Sequence, residues 1–136
     1  GNTLVTYARN KNTYLVSVVL QSVNGAYSDT KALLDYGFGN FSRTTDKSLP
    51  KTISRRCLPA EKYILKDYKN ETLFETRRNA SISLPTGVDV NALQKTYSIT
   101  KNPAGLPLLT VTYTYNDHVV GTARYYQTRL LSAQLI

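Results

Sequence analysis

Residues 14–21 read Tyr-Leu-Val-Ser-Val-Val-Leu-Gln, and this stretch decides the fold of the first third of the chain. It is rich in strand-forming residues and apolar on nearly both faces, which predicts a strand in the middle of a covered sheet. Residues 3–8 (Thr-Leu-Val-Thr-Tyr-Ala) have the same character, and the polar residues 9–12 between the two runs predict a turn. The chain is therefore expected to open with a β-hairpin.

One helix is expected after the hairpin, over residues 28–38. Ser28 or Asp29 is the expected N-cap, because a side-chain oxygen at that position accepts hydrogen bonds from first-turn amides. Gly37 and Gly39 are expected to end the helix. Its apolar side is expected to contain Thr30, Leu33, Leu34 and Phe38.

The remainder of the sequence predicts short strands. Residues 42–50 are polar and are interpreted as a linker, after which no helical period is found. Strands are expected at 63–65, 73–76, 80–84, 96–100, 108–115 and 119–127. The last two flank Asn116-Asp117-His118 and predict a hairpin. The expected fold is mainly β: residues 1–41 form the hairpin and helix, 42–50 the linker, and 51–136 a small antiparallel β-sandwich.

The composition favours a folded domain with a basic surface. In most basic domains the excess charge is a solvated surface, and an anionic partner is the alternative. Of 136 residues, 41% are hydrophobic, which argues against disorder, and the formal net charge is +8. Such a charge attracts nucleic acid, acidic lipid surfaces or anionic wall polymers without choosing among them. No apolar run approaches the ~20 residues of a membrane helix, and residues 130–136 are also too short.

Few residues are candidates for catalysis or metal binding. The sequence has one cysteine, Cys57, and one histidine, His118, so neither an intramolecular disulfide nor a zinc site is expected, and no cofactor is expected. Arg55 and Arg56 beside Cys57 could lower its thiol pKa, but a small apolar filler at a strand edge is the preferred interpretation. His118 lies in the expected turn, which is a poor place for a buried base.

Paired arginines with aromatic neighbours leave nucleic-acid binding open as an alternative, although no recognisable nucleic-acid motif accompanies them. The residues concerned are Arg55, Arg56, Arg77 and Arg78, with Tyr63, Tyr68 and Phe74.

Residues 1–41 resemble the closing segment of the catalytic domain of serine-type D-alanyl-D-alanine carboxypeptidases, the low-molecular-weight penicillin-binding proteins. Three stretches carry the resemblance: Thr3-Leu4-Val5, residues 14–20, and above all Asp29-Thr30-Lys31-Ala32-Leu33-Leu34-Asp35-Tyr36-Gly37-Phe38. Residues 51–127 are more weakly similar to the β-rich domain that follows the catalytic domain in that family. The residues that fit it are Ser83-Leu84-Pro85-Thr86-Gly87 and Val119-Val120-Gly121-Thr122.

The resemblance implies that the family's catalytic motifs, Ser-x-x-Lys, Ser-x-Asn and Lys-Thr-Gly, lie upstream of the matched segment. Similar triplets and quartets in this chain are interpreted as chance matches, because their order is wrong and no Lys-Thr is followed by Gly. They are Ser28 with Lys31, Ser48 with Lys51, Ser22 with Asn24, and the Lys-Thr pairs at Lys51 and Lys95. No catalytic, cofactor-binding or metal residue is therefore assigned.

The sequence thus predicts the non-catalytic C-terminal portion of a D-Ala-D-Ala carboxypeptidase, a hydrolase of peptidoglycan maturation. The resemblance implies an extracytoplasmic location at a bacterial cell surface or periplasm, with a membrane-associated parent and a sandwich that acts as spacer or interaction module. Expected partners are peptidoglycan through the parent, and anionic wall polymer or a membrane surface. Because one helix covers one face of the hairpin, self-association through residues 3–41 is also expected. The alternative is a stand-alone basic β-domain that binds nucleic acid or anionic polysaccharide.

Overall fold

A computed structural model describes residues 1–58 and 72–128 of the chain. Within these ranges it contains one α-helix, nine strands and two short 3-10 helices, at residues Arg55–Cys57 and Val90–Ala92. In chain order the longer elements are β1 (Asn2–Asn10), β2 (Thr13–Ser22), α1 (Ala26–Asn40), β3 (Phe41–Asp46), β4 (Thr52–Ser54), β5 (Leu73–Glu75), β6 (Ala80–Pro85), β7 (Gln94–Lys101), β8 (Pro107–Tyr115) and β9 (His118–Gln127). The expected fold class, mainly β with an N-terminal hairpin and one helix, is confirmed. None of the helices in the described ranges is long and apolar enough to cross a membrane.

The chain divides into two compact units. The first, here called the hairpin unit, comprises Gly1–Thr44 with Ser83–Val88. The second, the β-rich unit, comprises Thr45–Ile82 with Asp89–Ile136. The division after Thr44 falls inside the segment interpreted as a linker. The contribution of Ser83–Val88 to the hairpin unit depends on a long-range contact, in which the Thr86 amide donates to the Asn40 carbonyl at 2.8 Å.

The hairpin unit is built on the antiparallel pair β1–β2, which forms a two-stranded sheet. Side chains alternate along β2, so that Leu15, Ser17 and Val19 lie on the more buried face. A Cβ added to Gly37 of α1 would lie 2.5 Å from Leu15 Cδ1, which shows that α1 packs closely against this face. Glycine at position 37 therefore allows the close approach of helix and strand.

The ends of α1 differ from the expected ones. The helix begins at Ala26 with Gly25 at the N-cap position, and no side chain caps it. Asp29 instead accepts a hydrogen bond from the Ser22 hydroxyl at 2.5 Å. Gly37 and Gly39 lie within the helix, which continues to Asn40, because neither glycine adopts the positive φ of a helix stop.

Strands β3–β9 form a seven-stranded sheet with the path β3-β6-β9-β5-β4, while β8 joins β9 to β7. One edge of β9 pairs along its length with β8, and the other edge is shared end to end by β5 and β6. The β8–β9 hairpin is confirmed, with Tyr115 opposite His118 and a two-residue turn at Asn116 and Asp117. Both turn residues have positive φ (45° and 63°), as a type I′ turn requires.

The core of the β-rich unit consists of large apolar and aromatic side chains. Its most buried members are Phe74, Ile82, Leu109, Val111, Tyr113 and Tyr125, each less than 2% exposed. On β8 the buried side chains alternate with Thr110, Thr112 and Thr114, which agrees with the expected polar and apolar faces.

The polar stretch interpreted as a linker contains β3, so part of it belongs to the sheet. The strand expected at 63–65 lies outside the described residues.

Candidate functional site

The serine–lysine pairs that imitate a catalytic motif are engaged in other contacts. On α1, Lys31 Nζ is paired with Asp35 at 2.5 Å, and both side chains are largely exposed. The Ser48 hydroxyl donates to Asp46 Oδ1, while Lys51 Nζ donates to Asn79 Oδ1 at 2.8 Å. In each pair the lysine is bound to a residue other than the serine, so these contacts do not activate a serine nucleophile.

Cys57 and His118 are both exposed side chains. Cys57 lies in the 3-10 helix after β4, where its sulfur accepts a hydrogen bond from the Ser54 hydroxyl at 3.2 Å. The interpretation of this cysteine as an apolar filler is wrong, because the side chain is not packed away from solvent. In residues 1–58 and 72–128, no group of three or more His, Cys, Asp or Glu side chains could hold a metal ion.

Among the described residues, Phe74 is the one aromatic side chain of the expected nucleic-acid site, and it is not available to stack on bases. Phe74 is fully buried in the β-rich unit. Arg77 and Arg78 lie exposed in the turn after β5. Tyr63 and Tyr68 lie outside the described residues. The arrangement expected of a base-stacking groove is therefore absent at Phe74.

A buried polar cluster surrounds Asp46 in the β-rich unit. Asp46 Oδ2 accepts hydrogen bonds from the Tyr113 hydroxyl (2.6 Å) and from Lys95 Nζ (3.0 Å). Asp46 Oδ1 accepts from the amide (2.9 Å) and the hydroxyl of Ser48. Burial acts to raise the pKa of the Asp46 carboxyl, but these hydrogen bonds outweigh it and hold that pKa far below its usual range.

Two tyrosines in and beside this cluster have raised pKa values. Burial and the hydrogen bond to Asp46 raise the pKa of Tyr113 far above its usual range. Burial, together with the nearby Tyr97 and Asp46, raises the pKa of Tyr125 to about 12. The Tyr125 hydroxyl donates to the Pro50 carbonyl at 2.5 Å. The cluster satisfies the polar groups of the core and fixes residues 46–50 to the sheet, which is a structural role.

The outer face of the β1–β2 hairpin is apolar and exposed. Val5 is paired with Val18, and Tyr7 with Val16, so these four side chains form a contiguous surface. Val16 is 67%, Val18 54% and Leu20 68% exposed. We call Val5, Tyr7, Val16, Val18 and Leu20 the open face. A group of large apolar side chains left in water on one face of a sheet is typical of a surface that is covered by a partner.

A cluster of cationic and aromatic side chains lies at the turn end of the same hairpin. The guanidinium carbons of Arg9 and Arg43 lie 5.2 Å and 5.5 Å from the centre of the Tyr14 ring. Tyr14 also stacks with Tyr7, with ring centres 6.1 Å apart. Lys11 occupies the turn itself. We call Arg9, Lys11, Tyr14 and Arg43 the turn cluster.

No sequence pattern marks Tyr14 or Arg43 as a binding residue. Arg9 and Tyr14 are cross-strand partners, and this pairing follows from the register once the two-residue turn is recognised. Arg43 is 30 residues from the Thr13 hydroxyl that accepts a hydrogen bond from its amide at 3.3 Å. No local pattern signals that contact.

Comparison with models of known protein families gives no match to this chain, and no curated protein matches it.

Proposed function

We propose that this chain is the non-catalytic C-terminal portion of a serine-type D-Ala-D-Ala carboxypeptidase that acts in peptidoglycan maturation at a bacterial cell surface. In this proposal the hairpin unit completes the parent's catalytic domain. The β-rich unit serves as a spacer that holds the catalytic domain away from the membrane and as an interaction module.

The observation that carries the proposal is the one-sided covering of the hairpin. Strand β2 has apolar side chains at six of its ten positions and on both faces, as expected of a strand inside a covered sheet. Helix α1 packs against the face that bears Leu15, while the open face stays in water. The resemblance implies that the parent's catalytic domain covers the open face, because in that family the corresponding strands lie in a larger sheet packed against helices.

The remaining chemistry of the chain is consistent with a non-catalytic role. The serine–lysine pairs are engaged elsewhere, and the buried cluster around Asp46 has all its contacts within the β-rich unit. The purified chain is therefore expected to form no covalent adduct with penicillin, as measured by intact-mass spectrometry. A stoichiometric adduct at Ser28 or Ser48 would contradict the proposal.

The decisive test is the gene sequence upstream of the codon for Asn2. The proposal requires Ser-x-x-Lys, Ser-x-Asn and Lys-Thr-Gly motifs there, in that order. In the parent protein, Val18→Asp should then abolish labelling by fluorescent penicillin, because a charge on the open face opposes its burial in the catalytic domain. Val119→Asp, the same change at an exposed position of the β-rich unit, should leave labelling intact. A start codon at Asn2 would refute the proposal and favour a stand-alone basic β-domain.

A further inference from the structure

We propose that the turn cluster is a binding site for the phosphate groups of a flexible anionic polymer. This inference rests on the geometry of Arg9, Lys11, Tyr14 and Arg43 and does not depend on the proposed carboxypeptidase parent. All four residues belong to the hairpin unit.

The cluster is organised before any ligand arrives. Arg9 Nε donates to the carbonyl oxygen of Lys11 at 2.9 Å, and this bond supports the left-handed backbone of Lys11, whose φ is 54°. The Arg9 guanidinium also lies over the Tyr14 ring. The hydrogen bond at Nε and the contact with the Tyr14 ring restrict the orientation of the side chain, so less rotamer entropy remains to be lost on binding.

The Arg9 guanidinium retains donors for a ligand. Arginine has five N–H donors in a planar fork, and the structure assigns its Nε donor to Lys11. The remaining N–H groups lie along the edge of the planar guanidinium. That edge matches the oxygen pairs of a phosphate group, which arginine binds with two parallel hydrogen bonds.

The local charge balance favours an anion. Arg9 and Lys11 bring two positive charges to the turn end of the hairpin, where their mutual repulsion is relieved when an anion binds. The two carboxylates of residues 1–44 are engaged on or near α1: Asp35 is paired with Lys31, and Asp29 accepts from Ser22.

The exposure of the cluster favours a polymer over a single small anion. Tyr14 is 42% exposed, and Arg9, Lys11 and Arg43 are exposed side chains. An exposed ion pair contributes little in water, so one phosphate alone binds weakly. A flexible chain of phosphates presents several groups at high effective concentration and converts weak contacts into measurable affinity.

The test is binding of long-chain inorganic polyphosphate to the full chain over a series of salt concentrations. We expect Lys11→Gln and Arg43→Gln each to weaken binding about three- to tenfold and to lower the slope of log affinity against log salt by about one. Lys11→Gln keeps the Arg9 hydrogen bond, since that bond uses the Lys11 backbone carbonyl. Lys101→Gln and Arg124→Gln remove the same charge from exposed positions of the β-rich unit and should change affinity less than twofold.

Amide chemical shifts locate the site independently. On titration with polyphosphate, the largest changes are expected at Lys11, Asn12 and Arg43. Equal weakening by all four charge variants would show that net charge alone drives binding and would overturn the proposal. Failure to bind at about 0.1 M salt would also overturn it, as would tighter binding of duplex DNA or of the sulfated glycan heparin.

Discussion

The hairpin and helix of the first unit bury smaller side chains than the β-rich unit does, although the hairpin unit also includes the fully buried Leu84. In the hairpin and helix, the buried positions are Ser17, Val19, Ala26 and Thr30, all of modest size, while the large apolar residues lie in water on the open face. The hydroxyls of Ser17 and Thr30 are buried without a hydrogen-bond partner. The β-rich unit instead buries large residues, and Tyr113 and Tyr125 both have partners for their hydroxyls.

This difference separates a self-sufficient core from a dependent one. Burial of each large apolar side chain contributes about 1.5–3 kcal/mol, and an unpaired buried hydroxyl costs about 1–3 kcal/mol. At its two core tyrosines the β-rich unit buries large side chains without leaving a hydroxyl unpaired, while its buried Thr128 hydroxyl has no partner. In the hairpin unit, the apolar side chains of the open face stay exposed and contribute no burial energy. The unpaired hydroxyls of Ser17 and Thr30 add a cost in stability. We therefore expect the hairpin unit to depend on a covering partner and the β-rich unit to be stable alone.

The largest expected effect is on self-association. When the chain is by itself, we propose that a second copy covers the open face. Val18→Asp should weaken the dimer more than about a hundredfold, because a two-fold interface contains this position twice and burial of each valine is worth about 1.5–3 kcal/mol. Sedimentation velocity over a concentration series measures the change.

Val119→Asp is the matched control for self-association, since Val119 is 65% exposed on β9 and lies outside the open face. It should keep the wild-type association. A wild-type chain that stays monomeric at millimolar concentration, with protected amides in β1 and β2, would show that the hairpin unit needs no partner. The hairpin unit would then be as self-sufficient as the β-rich unit.

The second effect tests the self-sufficiency of the β-rich unit. Asp46→Ala should destabilise it by about 2–4 kcal/mol, because the buried Tyr113 hydroxyl loses its acceptor and Lys95 its counter-charge. Asp46→Asn should cost less, since an amide oxygen can still accept from Tyr113. Urea unfolding followed by the tyrosine signal measures both.

Acid titration gives a second measure of the Asp46 contribution. Because the folded-state pKa is lowered, the contribution is full above the unfolded-state pKa of about 4 and is lost as the pH falls below it. Asp46→Asn should remove this part of the acid dependence, whereas Asp117→Asn, in the exposed β8–β9 turn, should retain it. Identical acid profiles for Asp46→Asn and wild type would contradict the assigned role.

The third effect appears at alkaline pH. The pKa of Tyr125 is raised to about 12 in the folded chain, against about 10 when unfolded, so the unfolded state loses its proton first. Stability is therefore full below pH 10 and falls as the pH rises, by about 2 kcal/mol from this residue at pH 12. Tyr125→Phe should flatten the decline in urea midpoint, and Tyr126→Phe, at the half-exposed neighbouring position, should not.

The sequence predicts the fold best where local chemistry decides it. The β8–β9 hairpin follows from Asn116 and Asp117, which tolerate positive φ, and from the threonines that alternate with buried residues on β8. The centre of α1 follows from its composition. Its ends do not, because Gly37 is determined by the approach of Leu15, a tertiary contact.

Strand β3 and the turn cluster show what local patterns miss. Residues 42–46 are polar, and their strand conformation depends on pairing within the sheet and on Tyr113, which lies 67 residues from Asp46. Arg43 joins Tyr14 for the same reason, through β3. The open face follows from the sequence. Successive side chains of a strand point to opposite faces, β2 has apolar residues on both, and one helix covers only one of them.

The smallest expected effect compares one glycine from each unit. A Cβ added at Gly39 of α1 meets no atom within 4 Å, so Gly39→Ala should stabilise the hairpin unit by about 0.5–1 kcal/mol through lower unfolded-state entropy. At Gly121 of β9 an added Cβ would lie 2.6 Å from the Ser81 carbonyl oxygen, a backbone atom of β6. Gly121→Ala should therefore destabilise the β-rich unit by about 1–3 kcal/mol. Native-state hydrogen exchange reports the two units separately: slower exchange in α1 for the first variant and faster exchange in β6 and β9 for the second. Faster exchange in α1 for Gly39→Ala would show that an added methyl group at this position meets neighbouring chain, contrary to the open surroundings of Gly39.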